Sequence, residues 1–494
     1  MTGATVLGPR LGEAAAFRNL QLAIVVAAIA GWVRDRGEWQ RPLAPRAWLA
    51  LIAAGLLWFE AAAVSRFLSF GINGVDFSIF DWMLHSTAHG RLGYSPIYDV
   101  NHFGVHSSFL LLGALPFYAL HASPYWLLLG GPLLLWAGVF PLRRLVRWGA
   151  GEHGGFLLAA TLAYLASAWM GRLVADGFRI EAFIPVLSLW SLVGWVERKP
   201  SVWSGAGVAL LLSKEDCALF LIAFGVGAIF VERLRWRSAL TLMTVSAAWL
   251  VFYLAWAQPA LAGRAPTYLT FWSAFGATPA EMLVGMVTHP LAVARRLLTS
   301  GLWLFFLPLA FVPWASPRSA AAMAPTVFLL GTATYEAMHG FSSYYPLPLV
   351  ALSLFGVLDV VERWRQRRGM LTRGKEGLAL VALLLFPLVA GGYLKVRPVD
   401  LERVKQLEAA RALLTPDLKV CAQTVLFPHL GYSSQLVPLF DAACADASGA
   451  VALVHPALDP WPFPRETLEA LIAGWRTNRN VRELPGGFLL VSAP

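Results

Sequence analysis

The chain alternates long apolar runs with short polar segments, and this pattern predicts a bundle of membrane-spanning helices. About 20 apolar residues cross a bilayer, and shorter runs are tolerated where protein or an aqueous cavity shields the helix. The predicted spans are residues 47–70, 124–142, 154–172, 180–196, 202–213, 217–231, 238–257, 301–315, 320–336, 344–361 and 377–394. The apolar segment 20–33 is either a further span or a helix on the membrane surface, so about 11–12 spans are expected.

The composition supports an integral membrane protein. Hydrophobic residues make up 57% of the 494 positions and charged residues 14%, whereas a soluble domain is about a quarter charged. The net charge of +10 comes mostly from arginine clusters between apolar runs. Because such clusters are typical of cytoplasmic loops, no nucleic-acid partner is predicted.

The arginine clusters also orient the bundle. Four arginines between residues 34 and 46 place residues 1–46 in the cytoplasm. If the spans alternate, the later basic clusters fall on the same side: 143–147, 197–199, 233–237, Arg318 and 362–369. This requires that the short segment 107–120, with Pro116 inside it, is interfacial or re-entrant. Residues 71–123 are then a long external loop.

Four polar patches, far apart in sequence, fall on the external side in this topology. They are "VDFSIFD" at 75–81, "GRLVADGFRIEAF" at 171–183, "SKED" at 213–216 and "YEAMHGFSSYY" at 335–345. Any one patch is equally well explained as a solvated loop end. Ionisable residues at membrane depth are costly, however, so the convergence of all four favours a functional site.

The spacing of histidines raises the possibility of a metal site. Two helical sets have suitable intervals: Asp81, His85 and His89, and Asp99, His102 and His106. Such intervals are common by chance, and no cysteine cluster or HExxH motif supports zinc. Interfacial histidines with ordinary hydrogen bonds are therefore favoured.

The last part of the chain, residues 396–494, is predicted to be a small soluble α/β domain. An amphipathic helix follows Val399, three short buried strands come next, and a helix from Pro464 to Arg476 precedes a hairpin around Gly486. An odd number of crossings after residue 47 places this domain outside.

Cysteine usage makes a second prediction for this domain. Cys217 opens an apolar run and is expected to be a small buried hydrophobe. Cys421 and Cys444 both lie in the domain placed outside, where an oxidising compartment preserves disulfides. A disulfide between them is expected if their geometry allows it.

Several motifs together resemble one known family. In chain order they are "GVDFSIFDWML", "VHSSFLLLGALPFYAL", "SKEDCALF", "SSYYPLPLV" and "VCAQTVLFPHLGYSSQLVPLF". Over about residues 65–460 this order resembles the DUF2079 family of polytopic membrane proteins, which is similar to the GT-C glycosyltransferases. The resemblance implies a bacterial cytoplasmic-membrane transferase that moves a sugar from a polyprenyl-phosphate donor to an envelope glycan, lipid or protein acceptor at the outer face.

The resemblance also implies roles for particular residues. Asp76, at the start of the first external loop, would deprotonate the acceptor, with Asp81 as a second acidic candidate. Glu215 and Asp216 would orient the acceptor or, with Asp76, hold Mg²⁺ or Mn²⁺, and Lys214 would meet the donor phosphate. Simple pairing of Lys214 and Glu215 with other loop charges is the structural alternative. The further candidates for substrate binding are His102, His106, Arg179, Glu181, His339 and Tyr345.

Two other functional classes remain open at this point. A transporter or flippase would use the same polar cavity for passage, and a non-catalytic scaffold would bind envelope components through the C-terminal domain. Secondary transporters usually show internal repeats. None is evident, and the long external loop and the soluble domain favour the enzyme.

Overall fold

A computed structural model describes residues 23, 26–72, 74–231, 236–262, 268–339, 344–368, 372–387, 396–414, 418–433, 436–439, 444 and 449–493. The fold is mainly α-helical with a small sheet near the C-terminus. The α-helices are Arg36–Gln40, Pro45–Leu68, Gly74–Ala88, Leu115–Leu120, Tyr125–Ala137, Val139–Ala150, Gly154–Leu165, Ala168–Ala175, Phe183–Val196, Pro200–Ser213, Cys217–Val231, Trp236–Phe252, Gln258–Ala262, Pro279–Thr288, Pro290–Thr299, Trp303–Phe306, Pro317–Thr332, Leu347–Arg368, Arg373–Leu385, Leu401–Arg411 and Arg465–Asn478.

A regular helix lies in each predicted span, with one exception given below, and residues 388–394 of the last span lie outside the described residues. By length and composition, three of the described helices could cross a membrane unaided, and a fourth could if a pair bent by 41° counts as one span. They are Pro45–Leu68, Tyr125–Ala150, Trp236–Ala262, and Gly154–Leu165 with Ala168–Ala175. The remaining apolar helices are shorter and pack into the protein core, where neighbouring helices shield them from lipid.

The predicted span 301–315 is not a regular helix. Its helical parts are Trp303–Phe306 and a 3-10 turn at Val312–Ala315. Between them Ala310 and Phe311 have positive φ angles of 46° and 55°. An α-helix cannot continue through two left-handed residues, so the apolar run is broken although its composition suggests a span.

Two shorter predicted segments have clear helical structure. Residues 109–120 form a 3-10 helix followed by a single α-helical piece, and a stretch of this length rises only about 20 Å, short of the bilayer core. Of the segment 20–33, residues 26–33 are helical, continuing to residue 34. Residues 20–22, 24 and 25 lie outside the described residues, so the segment stays a prediction.

Basic segments that are far apart in sequence meet at one end of the bundle. Arg36 donates to the buried carboxylate of Glu376, with Nε 2.8 Å from Oε2. Arg365 donates to the carbonyl of Gly149 at 2.8 Å. Alternating spans require this meeting of the segment before residue 47 with those near residues 150, 365 and 376. The assignment of this end to the cytoplasm stays a prediction.

The C-terminal domain is built on a five-stranded mixed sheet. Two short strands, β1 (Tyr94–Ser95) and β2 (Val100–Asn101), lie earlier in the chain. The sheet has the order β4-β3-β5-β7-β6, with β4 and β5 parallel to β3 and the other pairs antiparallel. Its strands are β3 (Lys419–Ala422), β4 (Leu436–Pro438), β5 (Ala450–Val454), β6 (Asn480–Glu483) and β7 (Leu489–Ser492).

The two faces of this sheet have different partners because successive strand residues alternate between faces. Cys421 and Ala452 face the helix Arg465–Asn478. Val420 and Leu453 face the opposite side, where they share a core with the helix Gly74–Ala88. The C-terminal domain is therefore packed onto the loop predicted to be external.

Cys421 and Cys444 form the disulfide that the sequence analysis expected, and Cys217 is free and buried. The bridge closes a loop of sequence separation 23 between β3 and the segment after β4. On the chain-entropy model such a loop stabilises the domain by about 3 kcal/mol.

We expect an impermeant thiol reagent to label the C-terminal domain of intact cells only after reduction. The reason is that the disulfide protects Cys421 and Cys444, while burial protects Cys217. The double variant Cys421→Ser, Cys444→Ser is the control and should remove the labelling. Thiols that react only in broken cells would place this domain in the cytoplasm and contradict the predicted topology.

Candidate functional site

The helix Gly74–Ala88, called here the Asp76 helix, begins against the C-terminal domain. A Cβ atom on Gly74 would lie 2.0 Å from the carbonyl oxygen of Thr424, so only glycine fits this approach. Asp76 lies in the first turn, where the helix dipole favours a carboxylate. Its side chain is 31% exposed, so an incoming substrate can reach it.

Arg179 connects Asp76 to two further carboxylates. Its Nη1 pairs with Asp76 Oδ2 and lies 3.5 Å from Asp176, while its Nε lies 3.5 Å from Glu181. The guanidinium carbon lies 3.9 Å from the centre of the Tyr344 ring. A planar cation suits this position because it can bind carboxylates at its edge and stack on an aromatic face at the same time.

Lys214 extends the network inward. Its Nζ lies 2.9 Å from Glu181 and 3.2 Å from Asp216, and 5.1 Å from the centre of the Tyr345 ring. Only 3% of this side chain is exposed. Burial alone would lower the pKa of Lys214, but Asp216 and Glu181 outweigh it and hold the pKa well above its usual value. Lys214 is therefore a buried, permanent cation.

Glu215 points to the other side of the same turn. It accepts the backbone N–H of Ser107 at 3.0 Å and lies 2.7 Å from Nδ1 of His106. Burial opposes ionisation, yet His106 outweighs it, so the pKa of Glu215 is lowered. The neighbouring His102 is buried, and burial lowers its pKa to about 3, which keeps the ring neutral.

The structure thus brings the four polar patches together. One connected network contains eight of the predicted site residues: Asp76, His106, Arg179, Glu181, Lys214, Glu215, Asp216 and Tyr345. The ring of His102 adjoins it, 5.8 Å from that of His106. The roles assigned to these residues stay predictions.

Asp81 lies apart from this network. It is 2% exposed and accepts hydrogen bonds from the hydroxyls of Tyr118 at 2.6 Å and Tyr432 at 2.7 Å. On a regular helix, residues five apart point in different directions, so Asp81 faces the C-terminal domain while Asp76 faces Arg179. Asp81 therefore connects the Asp76 helix to the segments that carry Tyr118 and Tyr432, and it does not contact Asp76, the candidate general base.

The stability of the protein should fall between about pH 4 and pH 7 because of Asp81. Burial raises the pKa of Asp81 from 3.8 to about 7, although both tyrosine hydroxyls oppose the shift. In this window the folded state keeps the proton and the unfolded state loses it, so ionisation weakens folding as the pH rises. In wild type, ionisation of Asp81 should lower the free energy of unfolding by roughly 2 kcal/mol between pH 5 and pH 7, and Asp81→Asn should abolish this decrease.

The measurement for Asp81 is thermal unfolding of wild type and variant in detergent at several pH values. Asp99→Asn, an exposed carboxylate in the same loop, is the matched control. If the melting temperatures of wild type and Asp81→Asn changed equally with pH, Asp81 would not be the group that causes the pH dependence.

His339 also lies elsewhere. It faces Glu336 and Arg296, and burial is the main cause of its lowered pKa. No interaction in the described part of the chain links it to Lys214 or Arg179, and its contact with substrate stays a prediction.

The sequence suggests Asp76, Glu215 and Asp216 as candidate ligands of a divalent cation. Among the described residues, no group of three or more His, Cys, Asp or Glu side chains has the geometry to hold a metal ion. Asp76 pairs with Arg179, Asp216 with Lys214, and Glu215 lies against His106. Each carboxylate thus has a cationic or histidine partner, and the role of Mg²⁺ or Mn²⁺ stays a prediction to which no chemical step is assigned.

Sequence reasoning missed four residues of this region. Tyr344 and Asp176 lie within the quoted patches, so their place beside Arg179 could have been suspected. Tyr118 and Tyr432 carried no such signal, since each meets Asp81 only through the folded arrangement of three segments.

An apolar pocket of about 40 Å³ lies close to the polar network. Cys217, which follows Asp216 directly, is in its wall. The wall comes from the helices Phe183–Val196, Pro200–Ser213, Cys217–Val231 and Leu347–Arg368, and the lining residues are Ile184, Ser188, Ser191, Leu192, Leu210, Cys217, Phe220, Leu221, Phe224, Pro348 and Leu352. The polar network and the apolar pocket are thus neighbours along the chain at Asp216 and Cys217.

The fold that holds the polar network around Arg179 and Lys214 is that of a class, the polytopic membrane proteins with a GT-C fold. The structure is similar to that of ArnT from Cupriavidus metallidurans in the apo state, a GT-C glycosyltransferase. The TM-score is 0.52 and the sequence identity 14%, covering 92% of this chain and 100% of that one. At this identity the similarity shows the fold alone.

The chain belongs to the DUF2079 family of predicted membrane proteins, whose model matches residues 66–448. This confirms the resemblance found from the motifs. No curated protein matches the sequence.

Proposed function

We propose that this protein is a membrane glycosyltransferase that moves a sugar from a polyprenyl-phosphate donor to an acceptor at the outer face of the bacterial cytoplasmic membrane. The observation that carries the proposal is a pair of cations, Lys214 and Arg179, close to an apolar pocket. Arg179 pairs with the partly exposed carboxylate of Asp76 and shares Glu181 with Lys214. The apolar pocket is lined by Cys217, which follows Lys214 closely in the chain. A lipid-linked phosphate needs both a cationic site and a space for its tail.

In the proposed reaction, Asp76 accepts the proton of an acceptor hydroxyl. The acceptor oxygen forms a bond with the anomeric carbon of the sugar, and the bond between that carbon and the phosphate oxygen breaks. The lipid phosphate leaves as an anion, whose charge Lys214 and Arg179 stabilise electrostatically.

Arg179 must change partners during this sequence. In the structure its guanidinium pairs with the carboxylate of Asp76, so that carboxylate is already engaged. A donor phosphate that attracts the guanidinium would free Asp76, so the proposal implies that the donor binds before the acceptor reacts.

The test is incubation of purified protein with a panel of polyprenyl-phosphate sugars, scored for release of the lipid phosphate. Release that depends on the protein and on an envelope acceptor is the expected result. Movement of intact donor between leaflets of a vesicle, without cleavage, would instead identify a transporter. Failure of every donor in both assays would leave the scaffold interpretation and overturn the proposal.

A further inference from the structure

The C-terminal domain presents one edge of its sheet to the Asp76 helix. Strands β3, β4 and β5 are parallel, so their carboxyl ends meet at a common edge. Ligands of open α/β sheets bind in the crevice outside this edge. Thr424, in the loop after β3, is the residue whose carbonyl oxygen contacts Gly74, two residues before Asp76.

A half-exposed tryptophan stands at this edge. Trp461, in the loop after β5, is 49% exposed although it is a large aromatic residue. Its carbonyl oxygen accepts a hydrogen bond from the hydroxyl of Thr424 at 2.8 Å. Thr424 therefore contacts both the tryptophan loop and the start of the Asp76 helix, so a single residue separates the loop from the first turn of that helix.

The loop that carries Trp461 is held rigidly. The side chain of Asp459 accepts a hydrogen bond from the backbone N–H of Trp461 at 3.1 Å. The backbone carbonyl oxygen of Asp459 accepts a hydrogen bond from the side-chain amide of Gln423 at 2.6 Å. Arg465 donates to the carbonyls of Pro456 at 2.7 Å and Leu458 at 2.9 Å. A rigid loop that keeps an aromatic ring in water is suited to ligand binding, because little entropy is lost when the ligand arrives.

We propose that Trp461 and Asp459 form a carbohydrate-binding site that presents the acceptor to Asp76. The apolar face of a pyranose ring packs on an indole, which removes both surfaces from water. An exposed carboxylate two residues away accepts hydroxyl hydrogen bonds from the same sugar. The inference deepens the proposed function, on which it rests, by naming a glycan as the acceptor class.

The test measures glycan binding by the full-length protein in nanodiscs without any donor. The probes are maltoheptaose, chitohexaose and a core oligosaccharide from lipopolysaccharide. At least one should bind, and Trp461→Ala should weaken that binding tenfold or more, whereas Trp461→Phe should retain most of it. Trp236→Ala is the matched control, because Trp236 is similarly exposed (48%) but lies far along the chain in the helix Trp236–Phe252.

Absence of binding to all three probes, or equal binding by the Trp461→Ala and Trp236→Ala variants, overturns the inference. Quenching of a label near residue 461 by spin-labelled lipid, with no glycan binding, would show that the loop touches the membrane instead. Because no donor is present, these outcomes are independent of the transfer assay. If the protein bound glycan in a Trp461-dependent way but cleaved no lipid-linked sugar, the binding site would stand and the transferase proposal would be rejected.

Discussion

Asp76→Asn should lower the rate of sugar transfer about 100-fold or more while the protein still folds. The amide keeps the shape of the side chain but cannot take a proton from the acceptor. The position allows this role, since Asp76 is 31% exposed and pairs with Arg179 at the mouth of the network. Transfer is measured as release of lipid phosphate from the best donor of the panel, at a saturating donor concentration.

The matched comparison for Asp76→Asn is Asp81→Asn on the same helix. Asp81 is buried between two tyrosine hydroxyls, so its replacement should change stability more than chemistry. A folded Asp76→Asn protein with normal turnover would remove Asp76 from the mechanism. An equal loss of turnover in both variants would point to disturbance of the helix rather than to loss of a base.

Glu376→Ala should destabilise the protein by about 3–5 kcal/mol without touching the candidate site. The carboxylate is fully buried and accepts hydrogen bonds from Arg36, Trp32 at 3.1 Å and Gln40 at 2.9 Å. Nε2 of His153 lies 3.4 Å away. Removing the anion leaves these donors without an acceptor, so the cost is larger than that of a surface ion pair.

Thermal unfolding in detergent checks the Glu376 prediction. The control is Glu38→Ala, in which the lost partner of Arg41 is an exposed carboxylate, with 56% of the Glu38 side chain accessible. A similar melting temperature for both variants would contradict the role of Glu376. Glu376→Gln should lie between Glu376→Ala and wild type, because an amide still accepts some of the hydrogen bonds.

Much of the arrangement could be predicted from the sequence because it follows from strong local signals. Apolar runs gave the positions of most helices, and the arginine clusters predicted which segments meet at one end. The same alternation predicted that Asp76, Arg179 and Lys214 would lie on a common side, and the structure brings them into one network. The strands of the C-terminal domain and its disulfide followed from short buried runs and cysteine placement.

The remaining features depend on tertiary contacts that no local pattern reports. The direction in which Asp81 points depends on how the Asp76 helix is rotated, and that rotation follows from the docked C-terminal domain. The break at Ala310 and Phe311 is a matter of backbone conformation in a run whose composition is uniformly apolar. His339 was grouped with Tyr345 by sequence proximity alone, and the described contacts of the two residues differ.

The shared core between the Asp76 helix and the C-terminal domain has a consequence for biosynthesis. Val75 and Trp82 pack in the same cluster as Leu484 and Phe488, which come far later in the chain. The Asp76 helix therefore leaves the ribosome long before the surface that supports it exists. A chain that stops before Leu484 would contain every predicted span, yet its Asp76 helix would lack part of this shared core.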